Sequence, residues 1–195
     1  MNKESRDNMP KNNKTIILLF IIILLAVAGI TYSVYKWSGG DANKTDVTVN
    51  LNGYDKYIEY SHTPSTLNES LEPTSTFTEG DHVTISINKT TEAANIPLYA
   101  HIYFDINEIG VNQAQDEGIK WVLTSGDETS TTVLTSGTFK DASTTIALKN
   151  NIVLTTSVQK FTIWLYLNEE DVTHDDITGE TLDTTIRVDV TGKGL

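Results

Sequence analysis

Cysteine is absent from all 195 residues, and proline occurs only four times. Without cysteine there are no disulfides, so an exported domain must hold together by burial and strand pairing alone. Basic residues are scarce too: 14 Lys and Arg stand against 26 Asp and Glu, for a net charge of −12. That acidity repels nucleic acid and anionic headgroups, which excludes nucleic-acid binding, and it favours divalent cations and basic partners. The usual catalytic signatures are missing: no HExxH helix, no GxSxG elbow, no GxxxxGK[ST] loop, no GxGxxG. Ser157-Val158-Gln159-Lys160 spells S-x-x-K, but it leads into a strand, where the simpler reading is a turn serine and a solvated lysine. The chain is read as non-enzymatic.

Long apolar runs are lacking with one exception, Ile16 to Ile30. Extended through Tyr35 it reaches about twenty residues, the length that crosses a hydrocarbon core of ~30 Å. Lys3, Arg6, Lys11 and Lys14 precede it and only Lys36 follows closely, so the amino terminus is expected in the cytoplasm and the remainder outside. Two fates stand open. Tyr32 and Tyr35 suit an interfacial belt and a retained anchor, whereas Ala26-Val27-Ala28 before Gly29 suits cleavage and release. The expected organisation is a basic tail at 1–14, a signal-anchor at 15–35 that makes the membrane contact, a linker at 36–44 and an extracellular domain at 45–195.

The first fourteen residues hold four bases and two acids, so the rest of the chain carries ten bases against 24 acids. Its net charge is therefore −14. Threonine supplies 29 residues, and a β-branched, half-polar side chain suits the outer face of a strand. Period-two alternation recurs. Val47, Val49 and Leu51 share one face, followed by Asn52-Gly53, a strong hairpin signal with Tyr54 to Tyr60 as the expected return strand. Further strands are expected around Val83–Ile87, Leu98–Ile106, Ile119–Thr124, Thr131–Phe139, Thr144–Leu148, Gln159–Leu167 and Thr181–Val190. Residues 61–80 read as a long loop holding at most one short strand, and Glu108 to Glu117 as a connection with helical character. Val-Leu-Thr-Ser-Gly occurs at 122 and again at 133, the mark of two strand ends in one hairpin. Eight or nine short strands predict an all-β, antiparallel β-sandwich, jelly-roll or Ig-like.

Two side-chain groupings are candidates for binding. Tyr99 and Tyr103 face away from the aliphatic side of their strand, as Trp164 and Tyr166 do on theirs. Were the two strands neighbours, the four rings would form an exposed stripe suited to stacking on sugars or on another subunit; the simpler reading is cross-strand pairing that stiffens the sheet. The second grouping is acidic: Glu169, Glu170, Asp171, Asp175, Asp176 and Glu180 crowd one connection. Hard oxygens at that density suit Ca²⁺, although the spacing is not that of an EF-hand, and a solvated acidic loop explains it equally. His101, between Tyr99 and Tyr103, is expected on the exposed face.

The exit Leu24-Leu25-Ala26-Val27-Ala28-Gly29-Ile30-Thr31-Tyr32, the strand Pro97-Leu98-Tyr99-Ala100-His101-Ile102 and the final strand pair within 161–190 resemble the TasA/camelysin-like exported proteins of Gram-positive bacteria. The resemblance implies a jelly-roll-type sandwich held at the cell surface or released into a matrix, where relatives assemble into fibres. It transfers no catalytic position, since no zinc-protease motif is present. The expected function is adhesion or self-assembly of a membrane-anchored surface protein. A carbohydrate-binding module, with or without calcium, and an exported hydrolase are the alternatives.

Overall fold

The computed structural model describes residues 46–63, 73–110, 117–140, 142, 144–168, 170 and 182–195. The tail, the signal-anchor at 15–35 and the linker lie outside them. Among the described residues no helix is long and apolar enough to cross a membrane.

Among the described residues ten strands form two sheets. They are β1 (Asp46–Asn50), β2 (Ile58–His62), β3 (Pro73–Thr74), β4 (Asp81–Lys89), β5 (Tyr99–Ile109), β6 (Ile119–Ser125), β7 (Val133–Thr138), β8 (Thr145–Val153), β9 (Gln159–Asn168) and β10 (Leu182–Thr191). Sheet A runs β1-β10-β5-β8; sheet B runs β2-β4-β9-β6-β7, with β3 beside β9. The all-β expectation holds. The alternating residues turn their aliphatic side inward as period two requires. Ile102, Phe104, Ile186, Val188 and Val190 from sheet A meet Val83, Ile85, Leu123, Ile163 and Leu165 from sheet B in one core. Phe139 closes the core by tilting onto Phe104, ring centroids 5.5 Å apart.

The repeated Val-Leu-Thr-Ser-Gly segments do pair as a hairpin, Val122 opposite Ser136. Three other expectations are corrected. Asn52 and Gly53 do make a tight turn, with φ of 48° and 86° and Tyr54 N–H bonded to Leu51 O at 2.8 Å. It is not a hairpin. A 3-10 turn over Asp55–Tyr57 follows, and β2 pairs with β4 in the opposite sheet. Val47, Val49 and Leu51 pack from sheet A while Ile58 is buried from sheet B, so the chain must cross the end of the sandwich between them. Nor is every pairing antiparallel. β1 lies parallel to β10, Val47 opposite Ile186 and Val49 opposite Val188, and β3 lies parallel to β9. Strands without a shared hairpin have no loop forcing them antiparallel. Finally, the strand ahead of residue 110 runs on to Ile109 where a helical connection was expected; residues 111–116 lie outside the described residues.

Candidate functional site

The outer face of sheet A carries the polar half of each alternation. Register sets Arg187 of β10 opposite Tyr103 of β5, and Asp189 opposite His101. Arg187 forks onto Asp105, Nε to Oδ2 at 2.6 Å and Nη2 to Oδ1 at 3.1 Å, and its Nη1 donates to Asp189. Thr145 of β8 donates to Asp105 at 2.9 Å. The guanidinium holds the Asp105 carboxyl below the usual carboxylate range, and Asp105 in turn raises the pKa of Arg187. Arg187 also lies over the Tyr103 ring, 4.4 Å from its centroid. Partial burial, followed by the nearby carboxylate of Asp189, raises the Tyr103 phenol. This face is a charge-locked platform in which both carboxylates already serve one cation.

His101 is not on an exposed surface, as expected, but fully buried. The ring contacts Thr191 Oγ1 through Nε2 at 3.1 Å and accepts the Asn151 N–H at Nδ1, 3.3 Å. Asn151, at φ 57°, holds the carboxyl terminus through its side chain, accepting the Leu195 N–H at 2.8 Å and donating to Leu195 O at 3.2 Å. A lone strand histidine gives no sign in the sequence that a bulge and the chain end will cover it.

Sheet B treats its outer face differently. Trp164 points outward but is only 2 % exposed. Phe77 meets it edge-on at 5.7 Å, His82 lies at 4.6 Å, and its Nε1 donates to Thr124 Oγ1 at 3.2 Å. Buried Thr84 and Thr162 join their hydroxyls at 2.8 Å beside it. Tyr166, two residues on, stays half-exposed.

The four-ring stripe therefore does not exist. Tyr99 and Tyr103 belong to sheet A, Trp164 and Tyr166 to sheet B, and β5 and β9 are not neighbours. Alternation reports which side of its strand a residue takes, not which strand lies next to it. Of the acidic grouping only Glu170 is described, and it is exposed; Glu169, Asp171, Asp175, Asp176 and Glu180 lie outside the described residues. Among the described residues no three His, Asp or Glu side chains gather as metal ligands would.

Two concave surfaces lie among the described residues. One, of about 680 Å³, opens among Leu134, Lys149, Ile152, Val158 and Phe161 near the β6–β7 and β8–β9 turns. The other, of about 440 Å³, lies on the outer face of sheet B between Phe77 and Tyr166. Its residues Phe77, Lys120, Ser136 and Thr138 carried no sequence signal, because only strand register brings them together. Comparison of the chain with protein-family models, curated proteins and solved structures finds no match.

Proposed function

We propose that this is a surface protein of a Gram-positive cell, anchored through residues 15–35, whose sandwich acts in adhesion or self-assembly outside the membrane. The apolar run with its flanking lysines supports the address. Strand order supports a jelly-roll form of the sandwich: β1-β10-β5-β8 facing β4-β9-β6-β7 interleaves distant strands as paired Greek keys do, with β2 and β3 added. It agrees with the resemblance to the TasA/camelysin-like proteins.

The observation that carries the assembly half is the position of β1. It is five residues long, stands at an edge of sheet A, and pairs with β10 alone. Its apolar side chains, Val47 and Val49, are only partly buried. An edge strand that meets its sheet through so few residues can pair equally with the edge of a second copy. In this reading the acidic connection at 169–180 is where Ca²⁺ would bind.

The purified full-length protein is expected to form concentration-dependent oligomers or fibres visible by electron microscopy, and Val49→Lys is expected to suppress them. A protein that stays monomeric at every concentration overturns the assembly half. A carboxyl-terminal reporter that external protease cannot reach in intact protoplasts overturns the address.

A further inference from the structure

The geometry points to a binding site for neutral pyranose sugars in the groove on the outer face of sheet B. The groove follows from register. Lys120 stands between Tyr166 of β9 and Thr138 of β7, and Val122 stands between Trp164 and Ser136. With Trp164 sealed beneath Phe77 and His82, the open part of this face is a trough of about 440 Å³ whose aromatic sides are Phe77 and Tyr166. Val122 supplies an apolar floor, and Ser136, Thr138, Lys120 and the Tyr166 phenol bring hydrogen-bonding groups to the same space. The Trp121 indole lies on the other, inner side of the sheet, in the core beside Phe104, where its Cζ2 is 2.6 Å from the point a Gly137 Cβ would take.

This mixture fits a sugar better than the other classes of occupant. A pyranose offers a C–H face that packs on an aromatic ring and hydroxyls around its edge that match a rim of side-chain donors and acceptors. A peptide adds to a sheet through free backbone edges. Here the trough lies on the sheet face, bounded by side chains of β6, β9 and β7; the nearer free backbone edge of sheet B, that of β7, borders it rather than opening into it. The volume sits toward the small end of the range of about 300–1,000 Å³ for ligand sites, enough for a short stretch of saccharide. No acid lines the trough, yet the chain beyond the first fourteen residues carries −14, a field that repels polyanions. The occupant is therefore an uncharged polymer unit rather than a uronate. The inference deepens the adhesion half of the surface reading and rests on it, because an exported domain is the one that meets such polymers.

Titration of the full-length protein in a non-glycosidic detergent, followed by calorimetry and tryptophan fluorescence, tests it with three probes: cellohexaose, the hexamer of N-acetylglucosamine, and hexagalacturonate. Saturable binding of at least one of the neutral hexamers is expected, with hexagalacturonate much weaker. Tyr166→Ala should weaken that binding about tenfold or more, which corresponds to about 1.4 kcal/mol. Ser136 is exposed, so Ser136→Trp should leave the fold intact and block the trough. Tyr103→Ala, on the other sheet, should bind as the parent does. Failure of both neutral hexamers to bind, binding of hexagalacturonate alone, or unchanged binding in Ser136→Trp overturns the proposal. Those outcomes are independent of the protoplast test, whose failure would remove the extracellular reading while leaving the titration to stand or fall by itself.

Discussion

The two outer faces of this sandwich are built from similar alternating sequences and end in different states. On sheet A, Arg187, Asp105, Asp189 and Tyr103 stay at the surface and hold one another by charge. On sheet B, the equivalent outward row contains Trp164, Thr124 and Thr162, and it is buried. The segment around Phe77 lies against that row, and Gly80 is what lets it approach. A Cβ at Gly80 would fall 2.5 Å from Leu165 O and 2.7 Å from Tyr166 Cβ. The lesson is that an outward-facing residue is not an exposed one. What crosses above the sheet decides, and sheet B has in effect a second, thinner core outside the first.

Trp164→Ala tests that contrast most severely. Removing a buried indole should cost about 3–5 kcal/mol, and thermal unfolding followed by circular dichroism should show a midpoint lower by roughly 10 °C. A drop of the size seen on truncating a surface residue would mean the second core contributes nothing. Gly80→Ala comes next. Its neighbours are backbone and a Cβ, which cannot swing aside, so a loss of about 1–3 kcal/mol is expected. The same substitution should disturb the Phe77–Tyr166 trough while leaving the face of sheet A untouched.

The smallest effect belongs to the charged face. Arg187→Met should cost about 1 kcal/mol at neutral pH, because the partners remain partly exposed to water and salt. Its pH dependence carries the diagnosis. Arg187 lowers the folded-state pKa of Asp105, so the stabilisation is complete above the unfolded carboxylate value of about 3.9 and is lost as pH falls through the lower folded value. Unfolding midpoints of parent and variant measured from about pH 7 down to about pH 2 should therefore converge only in the acid range. Curves that stay parallel would show that Arg187 acts by packing on Tyr103 instead.

Much of the framework could be read directly from residue order. β4, β5, β9 and β10 stand where alternation places them, since the inward set Val83, Ile85, Ile102, Phe104, Ile163, Leu165, Ile186 and Val188 leaves no other period. The Asn52-Gly53 turn was equally visible, but not its destination. Turn chemistry specifies a reversal over four residues, whereas the sheet that receives the next strand depends on where Ile58 finds a core. The candidate sites were the least legible. Uniting Tyr99 and Tyr103 with Trp164 and Tyr166 required β5 and β9 to be neighbours, a fact of topology that no local pattern carries. His101 and Trp164 look alike on paper, each a ring on a polar side of its strand. Both are buried, one by the chain end around Asn151 and Thr191, the other by the Phe77 segment.

The parallel pairing of β1 with β10 has a mechanical consequence. The chain enters β1 at Asp46 and leaves β10 at Thr191, and because the strands run the same way these points lie at opposite ends of the pair. Tension between the two termini pulls the strands lengthwise past each other, so all five matched residues resist together; an antiparallel hairpin pulled at its open end would unzip one rung at a time. Tension applied between Asp46 and Thr191 therefore loads the β1–β10 ladder in shear.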